Sequence, residues 1–78
     1  MYKARIRFSG LSSEVFNYTT HFSSINYSES LRNLYKDMSS LARLIRRNKS
    51  KYHIPEDVKI TFRLYTENFE TIGDRFYF

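Results

Sequence analysis

The chain contains no cysteine and no tryptophan, one proline (Pro55) and two glycines (Gly10 and Gly73). Without cysteine there is no disulfide framework, no thiol nucleophile and no cysteine-ligated zinc site. That absence fits a reducing setting, and the expected location is the cytoplasm. Two widely separated glycines leave no glycine-rich phosphate loop. No apolar run approaches the roughly 18–20 residues that span a bilayer. The opening MYKARIRF alternates basic and apolar residues and lacks the continuous apolar segment of a secretory signal. Histidine is also scarce. His21 and His53 have no second ligand at metal-binding spacing, so they read as an outward strand residue and a loop residue. The carboxylates are scattered. Glu56 and Asp57 are adjacent, but they follow Pro55 and read as turn residues. No serine lies in a nucleophile-elbow pattern. The expectation is a protein that is not an enzyme and needs no metal or cofactor.

One further absence is local. Residues 32–51 hold seven cations (Arg32, Lys36, Arg43, Arg46, Arg47, Lys49 and Lys51) but a single acid, Asp37. Elsewhere six cations face seven acids, so the net charge of +5 is the property of one stretch. A local patch creates a directed potential, which says more about partners than total charge does.

That stretch organises the chain. Leu31, Leu34, Tyr35, Met38, Leu41, Ala42 and Ile45 recur at offsets of three, four and seven, which marks one face of an α-helix. With 100° per residue and Arg32 as origin, Lys36 lies at about 40°, Arg43 at about 20°, Arg46 at about −40° and Arg47 at about 60°. Five cations thus share a stripe roughly 100° wide, with Asp37 beyond it at about 140°. The helix has an apolar keel and a basic deck. Ser28 is the preferred N-cap, and Asn26 with Glu29 is a competing capping pair. The helix is expected to stop within residues 48–50, because Pro55 requires an extended chain before it. Arg46, Arg47 and Lys49 complement the negative end of the helix dipole. Dipole complementation does not explain a stripe reaching back to Arg32.

Around the helix the pattern changes to alternation. In residues 2–9, Tyr2, Ala4, Ile6 and Phe8 face one way and Lys3, Arg5, Arg7 and Ser9 the other, as in a half-buried strand. Residues 14–22 are rich in β-formers and read as a second strand, joined to the first as a hairpin through a turn at residues 10–13. Residues 57–66 alternate again: Val58, Ile60, Phe62 and Leu64 inward, Lys59, Thr61, Arg63 and Tyr65 outward. Turn residues cluster around Asn68 and Gly73, and residues 75–78 read as a terminal strand. The chain of 78 residues allows one domain spanning 1–78. The order β-β-α-β-β predicts an α+β fold: a two-layer sandwich, with an antiparallel sheet of about four strands and one long amphipathic helix on one face. Seven Phe and seven Tyr supply the core that so short a chain needs.

Two basic surfaces result. The helix deck is the first, with Arg32, Lys36, Arg43, Arg46, Arg47, Lys49 and Lys51 as candidate phosphate contacts. Arginine suits bidentate phosphate binding. A purely solvated face, the competing reading, normally mixes signs to gain i,i+4 pairs. The second is the sheet face away from the helix, where Lys3, Arg5, Arg7, Lys59 and Arg63 sit among Tyr65 and Tyr77. Aromatics on a basic sheet can stack unpaired bases. Cross-strand packing of Tyr against Arg stems is the alternative there. Spare aromatics also leave room for a homodimer through the sheet or an edge strand. A membrane surface fits less well, because the core needs the apolar keel and no Trp is present.

In composition the chain resembles small accessory proteins encoded by bacteriophages, which bind host machinery or nucleic acid. It reads as a complete short frame from Met1 to a terminal DRFYF, free of Cys and Trp and rich in Tyr, Phe, Ser and Asn. Two groups of such proteins are relevant. Anti-CRISPR proteins bind effector complexes, but many are acidic DNA mimics, a subtype this charge argues against. Toxin-inhibitory factors counter toxin–antitoxin defence, and an RNA-binding one would suit the Arg46-Arg47-Asn48-Lys49 cluster. The resemblance implies an inhibitor or regulator of RNA-handling or defence machinery that binds RNA phosphates. The alternative is a protein–protein inhibitor whose basic helix docks an acidic groove.

Overall fold

The computed structural model describes residues 1–9 and 25–78. The expected turn at residues 10–13, the expected strand at 14–22 and His21 lie outside them. Among the described residues are strands β1 (Tyr2–Ser9) and β2 (Asn26–Ser28), helix α1 (Leu31–Arg47), and strands β3 (Lys59–Tyr65) and β4 (Thr71–Tyr77). The four strands form one antiparallel sheet in the order β2-β1-β3-β4. The helix therefore carries the chain across β1, from the β2 edge to the inner position of β3.

The alternation in β1 and β3 is realised residue by residue. Ala4 pairs with Leu64, Ile6 with Phe62 and Phe8 with Ile60 on the helix side of the sheet. Against them α1 buries Leu34, Met38, Ala42 and Ile45. Ile54 and Val58, from the segment between α1 and β3, complete the core. The rings of Phe62, Phe76 and Phe78 stack at 4.9 and 5.6 Å, and Tyr35 lies 5.0 Å from Phe76, so the chain's C-terminal end closes one flank of the helix. Leu41, expected in the middle of the keel, is only half-buried. The buried arc is rotated toward the Phe76–Phe78 flank and takes in Ala42 and Ser39, which leaves Leu41 at its edge.

Three local expectations are corrected. The strand that pairs with β1 among the described residues is Asn26–Ser28, in a stretch whose polar composition reads as a lead-in to the helix. Its pairing of Tyr2 with Ser28 holds Ser28 extended, so the N-cap moves two residues on to Ser30. The Ser30 hydroxyl accepts the Asn33 N–H at 3.2 Å, and the Ser28 hydroxyl accepts the Ser30 N–H at 3.1 Å. At the other end Asn48 caps the helix, its side-chain amide donating to the Leu44 carbonyl at 2.8 Å. Gly73, expected in a turn, lies inside β4 at φ +66. There the β3–β4 register shifts, a β-bulge that uses the conformational freedom of glycine. The β3–β4 turn is made earlier: the Phe69 N–H donates to the Thr66 carbonyl at 2.9 Å and the Thr66 N–H to the Glu70 carbonyl at 2.8 Å.

Candidate nucleic-acid interface

On the helix side the basic deck assembles as its periodicity requires. Arg32, Lys36, Arg43, Arg46 and Arg47 are all exposed on α1. Arg32 and Lys36 are four residues apart, as are Arg43 and Arg47, while Arg43 and Arg46 are three apart. Like charges at these spacings cost about 0.2–0.5 kcal/mol each. Among the described residues the only salt bridge joins the N-terminal ammonium to Glu67, at 3.7 Å, so none of the five deck cations has a carboxylate partner there. Arg43 makes one secondary contact, its guanidinium carbon lying 5.9 Å from the centre of the Phe78 ring. Leu44, 49% exposed, borders the deck on the Asp37 side. From Arg32 to Arg47 the deck runs about 22 Å along the helix axis.

The two cations beyond the helix behave differently from each other. Lys51 is exposed, with its ammonium 5.9 Å from the Tyr52 ring. Lys49 is only 8% exposed, and its ammonium donates to the carbonyls of Glu56 at 2.9 Å and Val58 at 2.6 Å. These bonds fold the segment after the helix back beneath its own end, where Ile54 and Val58 enter the core. Lys49 is thus a structural tie, and its charge is withdrawn from the exposed stripe.

On the opposite side of the sheet the second set of cations also comes together. Arg5 stands directly across from Arg63, Lys3 from Tyr65 and Arg7 from Thr61. Like charges facing each other across a strand pair are destabilising. Arg7 and Lys59 are exposed, whereas Lys3, Arg5 and Arg63 are half-buried. Arg63 donates from Nη2 to the Gly73 carbonyl at 3.3 Å, while its Nε is buried without a hydrogen-bond partner. Thr61, 3% exposed, is covered on this face: its hydroxyl lies 3.4 Å from the Arg7 carbonyl and 3.5 Å from Nη1 of Arg75. Arg75 therefore belongs to this surface too, which alternation about Phe76 could have indicated.

One further residue was not marked by the sequence patterns. Phe69 is 51% exposed, and the Lys3 ammonium lies 4.0 Å from the centre of its ring. With Ile25, Tyr65, Lys3, Arg5 and Arg7 it lines a concavity of about 230 Å³. Only the turn geometry reveals Phe69, because its side chain is aimed by a positive φ that no periodicity encodes.

Among the described residues no group of three or more His, Asp or Glu side chains is placed to hold a metal ion, and no helix is long and apolar enough to cross a membrane. Comparison with protein-family models, with curated proteins and with solved structures found no match to this chain.

Proposed function

We propose that the protein binds RNA through the α1 deck, mainly by neutralising phosphates and with little sequence specificity. One observation carries this reading: five exposed cations share a single helix face, and none is paired with an acid among the described residues. A helix that tolerates this repulsion in isolation gains most when a polyanion supplies the missing negative charge. Four of the five cations are arginines, the side chain that holds phosphate bidentately. The biological role consistent with such a surface, and with the compositional likeness to phage accessory proteins, is inhibition or regulation of a cytoplasmic partner that handles RNA.

Arg43→Glu combined with Arg47→Glu tests the reading. Both side chains are exposed, so the fold should survive. Affinity for a single-stranded RNA oligonucleotide should fall roughly tenfold or more at low salt, and the loss should shrink as salt rises. No RNA or DNA binding by the unmodified protein at low salt would overturn the proposal. Loss of a protein partner from a pull-down with this double variant, in the absence of nucleic-acid binding, would favour the helix docking an acidic groove.

A further inference from the structure

We infer that the concavity on the outer sheet face is a site for one unpaired nucleotide, its base against Tyr65 and Phe69 and its phosphate on Arg5 and Arg7. The inference rests on the RNA reading for its choice of ligand, but on separate residues. The strongest indication is Phe69 itself. Its backbone sits at φ +63, in the left-handed region. His53, at φ +58, is of a type several-fold enriched there, whereas a bulky aromatic is an outlier. Asn68, immediately before it, is the residue that turn chemistry would put in such a position. The chain instead carries a strained phenylalanine whose ring is half out in solvent. Strain of this kind persists where it positions a side chain for a purpose, and a broken local rule is most often found at a functional site.

The surroundings specify the ligand. Tyr65 and Phe69 lie 6.2 Å apart at 57°, too close and too tilted to sandwich a ring between them, so they form a corner with an open side. The Lys3 ammonium over Phe69 holds a positive charge beside that corner. Arg5 and Arg7 point the same way from β1, about 7 Å apart along the strand. Arg63 opposite Arg5 adds a fourth positive charge. Among the described residues the lining holds two aromatic and three cationic side chains beside Ala4 and Ile25, and no acid. A planar ring bearing an anionic group matches that set. At about 230 Å³ the space is smaller than the roughly 300–1,000 Å³ of sites that take drug-sized ligands, which limits it to a single base.

The test is a titration of the isotope-labelled full chain, followed by amide shifts, with adenosine 5′-monophosphate, adenosine and inorganic phosphate in parallel. The nucleotide should shift Arg5, Tyr65 and Phe69 and bind more tightly than either fragment. Phe69→Gly should leave the melting temperature unchanged or raise it, since the strain is removed, while weakening nucleotide binding about five- to a hundredfold. Arg5→Gln with Arg7→Gln should remove the nucleotide's advantage over adenosine. Equal affinity for nucleotide and inorganic phosphate, or shifts confined to α1, would overturn the inference. The two proposals fail separately. If reversal of Arg43 and Arg47 leaves RNA affinity intact while nucleotide binding persists here, the deck is wrong and the pocket stands. If that reversal abolishes RNA binding and this face never responds to the nucleotide, the pocket is wrong and the deck stands.

Discussion

The two basic faces of this molecule are built on opposite physical terms. The deck cations are exposed on a helix and have no carboxylate partner among the described residues. Three of the outer-sheet cations are tethered. Arg63 reaches the Gly73 carbonyl, Arg75 the Thr61 hydroxyl, and Lys3 the ring of Phe69. Long free side chains adapt to phosphates at varied positions, at an entropic cost paid on binding. Side chains already fixed by neighbours lose less on binding and can impose one geometry. Charge alone does not define a binding surface. The deck is suited to an extended polyanion of any sequence, and the sheet face to one small group held in place.

Four substitutions separate the surfaces from the scaffold they share. Met38→Ala has the largest expected effect. Met38 is buried between deck and sheet, and its truncation should cost about 2–5 kcal/mol in denaturant titration, weakening both faces together. Leu41→Ala, at the edge of the keel, should cost less; equal losses would show that the buried arc is not rotated as described. Lys49→Met comes next. It leaves the Glu56 and Val58 carbonyls without their donor, at about 1–3 kcal/mol, yet should leave the salt dependence of RNA binding unchanged. A flatter salt dependence in that variant would return Lys49 to the phosphate-contacting set. Gly73→Ala should have the smallest effect. Nothing crowds the added methyl, so only the positive φ is penalised, by about 1 kcal/mol. Its consequences should stay on the sheet side, at the bulge that holds Arg63, with deck affinity for RNA unaltered.

Much of this architecture can be read in the sequence, because periodicity reports burial directly. Leu34, Met38, Ala42 and Ile45, and the inward sets of β1 and β3, are where helical spacing and alternation put them, whereas Leu41 and Tyr35 of the same helical face are half-buried and exposed. The deck is equally legible, since exposed charge on a helix obeys the same 100° rule. What could not be read depends on partners distant in sequence. Ser28 and Ser30 are chemically equivalent caps until β2 pairs with β1. Lys49 looks like a solvated residue at a helix terminus until the segment to Val58 folds over it. Gly73 has the composition of a turn, and only the register against β3 makes it a bulge. Phe69 carries no pattern at all, because backbone torsion rather than spacing puts it on the surface.

Phosphate neutralisation by the deck is tested most directly by the salt slope of RNA affinity in two neutralised variants. For single strands, log K falls with log salt by about 0.7 for each phosphate contact. Arg43→Gln with Arg47→Gln should therefore flatten the slope by about 1.4, while Arg5→Gln with Arg7→Gln, proposed to share one phosphate, should flatten it by no more than about 0.7. A slope unchanged in the deck variant and strongly reduced in the sheet variant would contradict the account and make the outer sheet the principal RNA surface.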